Sequence, residues 1–310
     1  MDGVLISVIM SVYNEKIDFL KKSIDSVLNQ SYKNIQFVIV IDDPSNDDLC
    51  SEINKYADKD NRIKVILNEK NVGITASLNK ALKYCDGDYV ARMDSDDFCE
   101  ENRLAKQLYY LDTNDFDIVG SETRRVDEAE NIVINRTNKS YSLKTIMKSL
   151  EYGNCIAHPT WFLKKEVYIK LNGYRNMIAT EDYDLLLRAM KHGYKIGICD
   201  EILLNYRINS RGISKTNLLK QKIASKYLSN HLRIIDKITV DDVNNVVEKR
   251  WTNEEESKYK NGMNYFNEAL VVDSRWKKSI YLFKAMMSSK YVFDNVIRMI
   301  KLRIIRLIYK

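Results

Sequence analysis

Three short stretches of the chain hold residue types that could do chemistry together: Ser11-Val12-Tyr13-Asn14-Glu15, Asp42-Asp43 and Asp94-Ser95-Asp96-Asp97. Three carboxylates within four residues repel one another, and holding them together is costly unless a cation lies between them. A hard divalent ion such as Mg2+ or Mn2+, taking a few carboxylate oxygens and keeping positions for phosphate, suits that ligand set. The same D-x-D-D could instead be a solvated acidic loop that caps the next helix, because Asp is a good N-cap.

The elements around these residues put them in one place. Leu5-Ile6-Ser7-Val8-Ile9-Met10, Phe37-Val38-Ile39-Val40-Ile41, Ile63-Lys64-Val65-Ile66-Leu67 and Tyr89-Val90-Ala91-Arg92-Met93 are apolar runs of strand length, as doubly covered parallel strands read. Between them lie helical spacings: Ile17, Leu20, Ile24, Val27 and Leu28, then roughly 47–58, then 74–84. Pro44 and the polar residues beside it force a loop after the second strand. Alternation of this kind predicts right-handed βαβ units and an α/β fold whose mostly parallel sheet is flanked by helices. Ligands bind such sheets outside the carboxyl ends of the strands, so the three polar stretches are expected to project into one cleft. From 116 to 215 the pattern is mixed, with a helix expected at 181–192, and residues 216–310 read as almost wholly helical.

Composition narrows the class. The 310 residues are 45% hydrophobic and 30% charged, enough for a real core and too ordered for a disordered or fibrous chain. With 10 Gly and 2 Pro, a turn-rich β-sandwich or barrel is disfavoured. No 18-residue stretch is free of charge, so a spanning helix is not expected. The start lacks a basic region before an apolar run, and the five cysteines (50, 85, 99, 155 and 199) are scattered, without any C-x-x-C pair. A reducing cytoplasm with free thiols and no structural zinc is expected. Lys and Arg against Asp and Glu number 30 to 33 over 1–215, 9 to 9 over 216–274, and 10 to 1 over 275–310. A neutral body with a basic tail points to an anionic surface for the tail, not to nucleic acid.

The usual backbone cradles for phosphate are missing: no G-x-G-x-x-G follows the first strand, and no G-x-x-x-x-G-K-[ST] occurs. A dehydrogenase or P-loop enzyme is therefore not expected. A nucleotide would be held through metal and side chains.

Val8 to Glu15, Val40-Ile41-Asp42-Asp43-Pro44-Ser45, Asn71-Val72-Gly73 with Leu78-Asn79, and Tyr89 to Asp97 followed by Arg103-Leu104 and Gln107 resemble the family 2 glycosyltransferases with the GT-A fold. The likeness runs on through His158-Pro159-Thr160, Gly173-Tyr174, Glu181-Asp182-Tyr183-Asp184-Leu185 with Arg188, and Tyr206-Arg207. It covers about residues 4–215 in the family's order. The implied organisation is a GT-A domain over 1–215, with a nucleotide-binding half (1–100) and an acceptor-binding half (101–215), and a helical region over 216–310.

The resemblance implies roles for individual residues. Ser11 and Tyr13 would line the nucleotide pocket with Glu15, Asn71, Gly73 and Asn79 beside them. Asp43, with or without Asp42, would accept a hydrogen bond from the uracil N3–H. Asp94 and Asp96 form the D-x-D, with Asp96 the direct metal ligand and Asp94 and Ser95 nearer the ribose or donor sugar. His158 and Arg207 would sit near the donor phosphates or the acceptor cleft. Asp182 resembles the general base of inverting members, its pKa lifted by the acidic cluster. The Gln-x-x-Arg-Trp motif of processive synthases is absent, so one sugar per encounter is implied. The donor would be UDP-Gal, UDP-Glc or UDP-GlcNAc, the cofactor Mn2+ or Mg2+, and the acceptor a polyprenyl-diphosphate-linked or other glycan of a capsule, O-antigen or similar surface polysaccharide. An inert nucleotide-sugar- or lipid-binding scaffold of the same fold is the alternative. A sugar nucleotidyltransferase would need a Gly-rich, basic loop after the first strand, and Ser11–Glu15 is not one.

Plainer roles compete at several positions. Glu181 and Asp182 could be first-turn acids favoured by the helix dipole behind Thr180 as N-cap. Tyr13 could be core packing, His158 an ordinary loop residue, Arg92 and Arg103 surface ion-pair partners, and the cysteines small buried hydrophobes. Between 291 and 310, Val296, Ile297, Ile300, Ile304, Leu307 and Ile308 fall within about 120° of a helical wheel, with Arg298, Lys301, Arg303, Arg306 and Lys310 on the remainder. Such a basic amphipathic helix suits the interface of an anionic inner leaflet and a peripheral place on that face. It could instead pack its apolar stripe on preceding helices and leave the basic side chains in water.

Overall fold

The computed structural model describes residues 3–135, 141–208 and 217–309. The division expected at 215/216 and the basic Lys310 lie outside the described residues.

The first half follows the alternation read from the sequence. Strand β1 (Ile6–Val12) leads to α1 (Ile17–Leu28), β2 (Ile35–Ile41), α2 (Asp47–Ala57), β3 (Ile63–Leu67), α3 (Ile74–Leu82) and β4 (Tyr89–Asp94). Side chains of a strand alternate between faces. Ile6, Val8, Met10 and Val12 of β1, with Phe37, Ile39 and Ile41 of β2, therefore enter one core against Leu20, Ile24 and Val27 of α1. Ile9, Val38 and Val40 enter a second core against Leu78 and Ala81 of α3. Burial on both faces is why these strands read as continuous apolar runs. Asn46 ends the loop that Pro44 begins, its Oδ1 accepting from Leu49 N at 3.1 Å as the cap of α2.

Beyond β4 come β5 (Phe98–Cys99), α4 (Arg103–Thr113), β6 (Ile118–Val126), β7 (Ile132–Asn135), α5 (Leu143–Leu150), a short 3-10 turn (His158–Thr160), β8 (Phe162–Lys164), α6 (Lys165–Lys170), α7 (Glu181–Lys191) and β9 (Ile196–Arg207). The strand order is β3-β2-β1-β4-β8-β6-β9-β5, with β7 paired to β6. The β3-β2-β1-β4 ladder is parallel, as expected. The rest is mixed: β6 and β9 run parallel, while β8, β5 and β7 join antiparallel. Antiparallel neighbours need no helical crossover, and that freedom lets short strands complete the sheet.

The remaining helices are α8 (Leu218–Asn230), a 3-10 stretch (Leu232–Lys237), α9 (Val240–Arg250), α10 (Asn253–Val271), α11 (Arg275–Ser288) and α12 (Lys290–Ile308). Their core joins Leu219, Ile223, Val243, Phe266 and Val292 to Met177, Tyr183 and Leu187 of the α7 region, so the helical region is seated on the helix that carries Glu181 and Asp182. Helix α12 also meets α5: the Tyr309 carbonyl accepts from Thr145 Oγ1 at 2.6 Å and Ser142 Oγ at 2.5 Å. No described helix is long and apolar enough to cross a membrane.

The orientation of α12 bears out the packing alternative at Val296 and in the exposure of Lys301, Arg303 and Arg306, and departs from it at the other five residues of the stripe. Ile297, Ile300, Ile304, Leu307 and Ile308 are exposed, Leu307 by 72%, while Val296 packs on the helical core; Arg298 is half-buried, and Lys301 and Arg306 are exposed side chains that line the cleft. Most of the stripe faces out, and three of the basic side chains line the cleft.

Candidate active site

Parallel register sets the strand ends level. Ser11 lies opposite Asp94 on one side and Val40 on the other, and Val12 lies opposite Ile41, one residue before Asp42. Past β1 the chain turns through Asn14 at φ 48°. Tyr13 and Glu15 then line a cleft of about 2060 Å3 along the carboxyl edge of the sheet. Tyr13 is 54% exposed and is not core packing.

The Asp94, Asp96 and Asp97 carboxylates converge, one oxygen from each lying within 4.8 Å of the others. Burial, with Asp94 and Glu15 adding repulsion, pushes Asp96 up to about 7. Asp97 is held well above the carboxylate range by burial and by its two acidic neighbours. Its Oδ1 accepts from Arg207 N at 2.8 Å, and its Oδ2 is buried without a partner. These acids cap no helix, because the chain runs directly into β5 and α4 starts only at Arg103. An all-oxygen cluster that keeps protons far above the usual range, with one orphaned buried oxygen, fits a hard divalent cation. Asp94, Ser95 and Asp96 line the cleft, and Asp97 lies behind them.

Raised carboxylates make a testable statement about stability. In EDTA, Asp96 and Glu181, both raised to about 7, bind more protons folded than unfolded. Stability should therefore fall as pH rises from the unfolded carboxylate range, roughly 4, towards 7. A melting-temperature series with and without Mn2+ checks this: a downward slope in EDTA that Mn2+ removes is expected, and a flat EDTA profile contradicts the burial of these groups.

Several residues expected to hold ligand are instead spent on the scaffold. Asp42, 2% exposed, accepts from Asn68 Nδ2 at 2.7 Å, Val72 N at 2.9 Å and Gly73 N at 2.9 Å. It positions the loop that brings Asn71 and Gly73 to the cleft, and Gly73 there adopts φ +85°, a conformation that favours glycine. Asp42→Ala is expected to cost about 2–4 kcal/mol by leaving buried donors unmet, measurable by urea unfolding. Asn79 is away from the cleft: its Nδ2 donates to Tyr174 O at 2.8 Å and its Oδ1 accepts from Tyr174 N at 2.9 Å, pinning α3 to that loop. Arg207 lines the cleft but is fully buried, donating from Nε to Asp96 O at 2.9 Å and from Nη1 to Asp127 O at 3.3 Å and Glu128 O at 3.2 Å. It holds the acidic loop in shape and has little left for a phosphate. Asp43 is half-buried in its turn, accepting from Ser45 Oγ at 3.1 Å and Asn46 Nδ2 at 3.4 Å.

Arg92 and Arg103 are not surface residues. Arg103 donates from Nη2 to Arg92 O at 2.8 Å and from Nε to Gln107 Oε1 at 2.9 Å, bracing β4 from below. Arg92 is 3% exposed and pairs with Asp94, while its Nε and Nη1 are buried without partners beside the cleft. His158 also lines the cleft. Its Nε2 lies 2.8 Å from Tyr174 Oη, and burial, reinforced by Arg92, drives its pKa well below 6.5, so the ring is neutral.

Glu181 and Asp182 face the acidic cluster from α7. Thr180 stands at the N-cap position, without a side-chain cap bond, and Glu181 and Asp182 lie in the first turn of α7, as the plainer role expects. Burial, opposed by hydrogen bonds and by Arg92, raises Asp182 above its ordinary value; the expected cause, the acidic cluster, is not among the main ones. Glu181 is the group that feels it, raised by burial first, then by Asp182, with Asp94 contributing. Asp182 Oδ2 accepts from Asn154 Nδ2 at 2.7 Å and its Oδ1 from Tyr183 N at 2.6 Å. Asn154 is a residue that sequence reasoning missed, since nothing in its neighbourhood sets it apart. Its own carbonyl accepts from Arg298 Nη2 at 3.1 Å, linking α12 to the Asp182 carboxylate. Cys155, beside it, has a thiol pushed up to about 12 by burial and is no nucleophile. All five cysteines are free.

Residues 7–171 match the model of the family described as "Glycosyl transferase family 2". An uncharacterised glycosyltransferase of Methanocaldococcus jannaschii is 38% identical over 228 residues, 73% of this chain and 79% of the relative. The O-antigen biosynthesis glycosyltransferase WbnJ of Escherichia coli is 36% identical over 234 residues, 74% of this chain and 89% of the relative. Among solved structures, Staphylococcus aureus TarS 1–349 in complex with UDP-GlcNAc superposes with a TM-score of 0.59 at 17% identity, over 93% of this chain and 90% of that one. The mannosyltransferase PcManGT of Pyrobaculum calidifontis, in complex with GDP-Man and Mn2+, superposes with a TM-score of 0.61 at 15% identity, over 94% and 86%.

Proposed function

The chain belongs to glycosyl transferase family 2, and from that premise we propose that it moves one hexose from a UDP-sugar to a glycan acceptor with inversion, in the synthesis of a surface polysaccharide. The observation that carries this is the meeting, in one cleft, of the Asp94 carboxylate at the end of β4 and the Asp96 carboxylate just beyond it with Asp182 from α7.

Ser11, Tyr13, Glu15, Asn71, Gly73 and Ser95 are the residues that would receive the nucleotide, with Tyr13 flanking the base at the rim; Asp43, in the turn after β2, would accept from the uracil N3–H. Asp96 and Asp94 would hold Mn2+ or Mg2+, which when bound neutralises charge developing on the leaving diphosphate. Asp182 takes the proton from the acceptor hydroxyl as that oxygen attacks the anomeric carbon from the face opposite the diphosphate. One displacement inverts the centre, so an α-linked donor gives a β-linkage. Asn154 fixes the rotamer of Asp182, and the neutral His158 adds no competing charge. Thermal shift against UDP-, GDP-, dTDP- and CMP-sugars with Mn2+, Mg2+ or EDTA tests the donor. Stabilisation by one UDP-sugar that vanishes in EDTA is expected; no response to any nucleotide would remove the proposal.

The acceptor is proposed to be lipid-linked, on the cytoplasmic face of a membrane. The support is the outward apolar stripe of α12 together with Trp276, Ile280, Phe283 and Met287, spaced along α11 at helical intervals and all exposed. Arg275, Lys277, Lys278, Lys284, Lys290 and Arg303 are exposed on the same two helices and outside the cleft, and basic side chains beside apolar ones suit an anionic bilayer. Ile300→Glu with Leu307→Glu should release the protein from phosphatidylglycerol vesicles in a sedimentation assay; unchanged sedimentation argues against membrane contact.

A further inference from the structure

The cleft is larger than one nucleotide-sugar needs, since pockets that enclose a ligand of drug size run to about 300–1,000 Å3, and its walls differ in charge. The wall built from residues 1–208 presents Glu15, Asp42, Asp94, Asp96, Glu151, Glu181 and Asp182 with Arg92, Arg125, Lys148 and Arg207, an acidic balance in which Arg92, Lys148 and Arg207 are already paired with carboxylates. The wall built by α8, the 3-10 stretch and α12 presents Lys222, Lys226, Arg233, Arg298, Lys301 and Arg306 against a single carboxylate, Asp294. Asp294 is already paired with Lys226.

We propose that this basic wall is a binding site for a phosphate or diphosphate group on the acceptor, so that the two substrates are sorted by charge along one cavity. The inference rests on the glycosyl-transfer reading above. Lys222 is half-buried and has no hydrogen-bond or ion-pair partner among the described residues. Removal from water, then repulsion from Arg298 and Lys226 that Asp294 only partly offsets, pulls its ammonium down to about 8, a cost that a bound anion reverses. Arg298 is held in place by its bond to Asn154 O and lies against Gly153, where a Cβ would fall 2.4 Å from its Cζ; its Nε is buried without a partner. Lys301 and Arg306 sit over the rings of Tyr152 and Tyr141 at 5.1 and 5.0 Å, contacts that orient a cation without neutralising it. A phosphate ester offers several charged oxygens to such a set. The donor diphosphate belongs with the metal at the other wall, which leaves the acceptor as the partner of this one.

The test uses the full chain and inorganic pyrophosphate in EDTA, so that no metal carries the anion to the acidic wall. Calorimetric titration should show binding to the wild-type protein, weakened at least about tenfold in Lys222→Gln/Lys301→Gln, kept in Lys222→Arg, and kept in Asp96→Asn. No binding to the wild type, equal binding to the double glutamine variant, or loss in Asp96→Asn would overturn the proposal. A UDP-sugar thermal shift on the same double variant reports folding and donor binding, so a failure of the basic wall is distinguished from a failure of the glycosyl-transfer reading. Farnesyl diphosphate in place of pyrophosphate identifies the source. Tighter binding of the lipid, lost in Ile300→Glu/Leu307→Glu, supports the site with a lipid headgroup as its ligand, and equal binding supports it with a soluble phosphate-bearing glycan.

Discussion

Asp182→Asn is expected to lower kcat by about 10²–10⁴-fold, the range that a positioned base contributes, while UDP-sugar binding changes little. Asparagine keeps the shape of the side chain, but its single oxygen can accept from the Tyr183 N–H or from Asn154 Nδ2 and not from both, so an unfolding measurement on the variant separates the loss of proton transfer from the loss of one hydrogen bond. The pH profile separates this from a structural effect. Burial raises Asp182 above its ordinary value, and only the anion accepts a proton. Wild-type turnover should therefore rise as pH passes upward through that raised pKa, and the limb should be absent from the residual activity of the variant. Single-turnover measurement of UDP release over a range of roughly pH 4–9 checks both statements. Near-wild-type turnover in Asp182→Asn would pass the base role to Glu181, which lines the same cleft.

Asp96→Asn is expected to reduce metal-supported transfer by roughly a thousandfold, equivalent to a few kcal/mol of leaving-group stabilisation. The same substitution should raise the stability of the metal-free protein at about pH 8. The wild-type carboxylate, at about 7, must give up its proton there next to Asp94 and Glu15, and an amide carries no such charge. The variant should also lose the Mn2+-dependent thermal shift. Lower apo stability in Asp96→Asn would mean that the carboxylate is satisfied by the protein alone and that the cluster is not poised for a cation.

Much of this was legible in the sequence because it is local. Apolar runs of strand length and the helical spacing of Leu20, Ile24 and Val27 depend on neighbours a few residues away, and they recovered every strand and helix from β1 to β4 and the position of α7. The three polar stretches follow those strands directly, so the acidic cluster and its placement at the carboxyl edge came with them. The family likeness then supplied Asp182, whose surroundings alone read equally well as a helix start.

The tertiary structure decided which of the polar residues are free. Asp42 meets the amides of Val72 and Gly73 some 30 positions on, and Arg207 meets Asp96 across 111 positions. Neither partnership leaves a trace in local pattern, so a saturated carboxylate and an available one look alike in the chain. The same limit applies to α12. Helical spacing fixed which of its residues share a face, but nothing in that spacing says which face meets the body. Contacts with α5, α8 and the loop at Gly153 set Arg298, Lys301 and Arg306 along the cleft and left all of the apolar stripe but Val296 outside. Sequence periodicity determines the faces of an element, and only the packing of distant elements determines what each face touches.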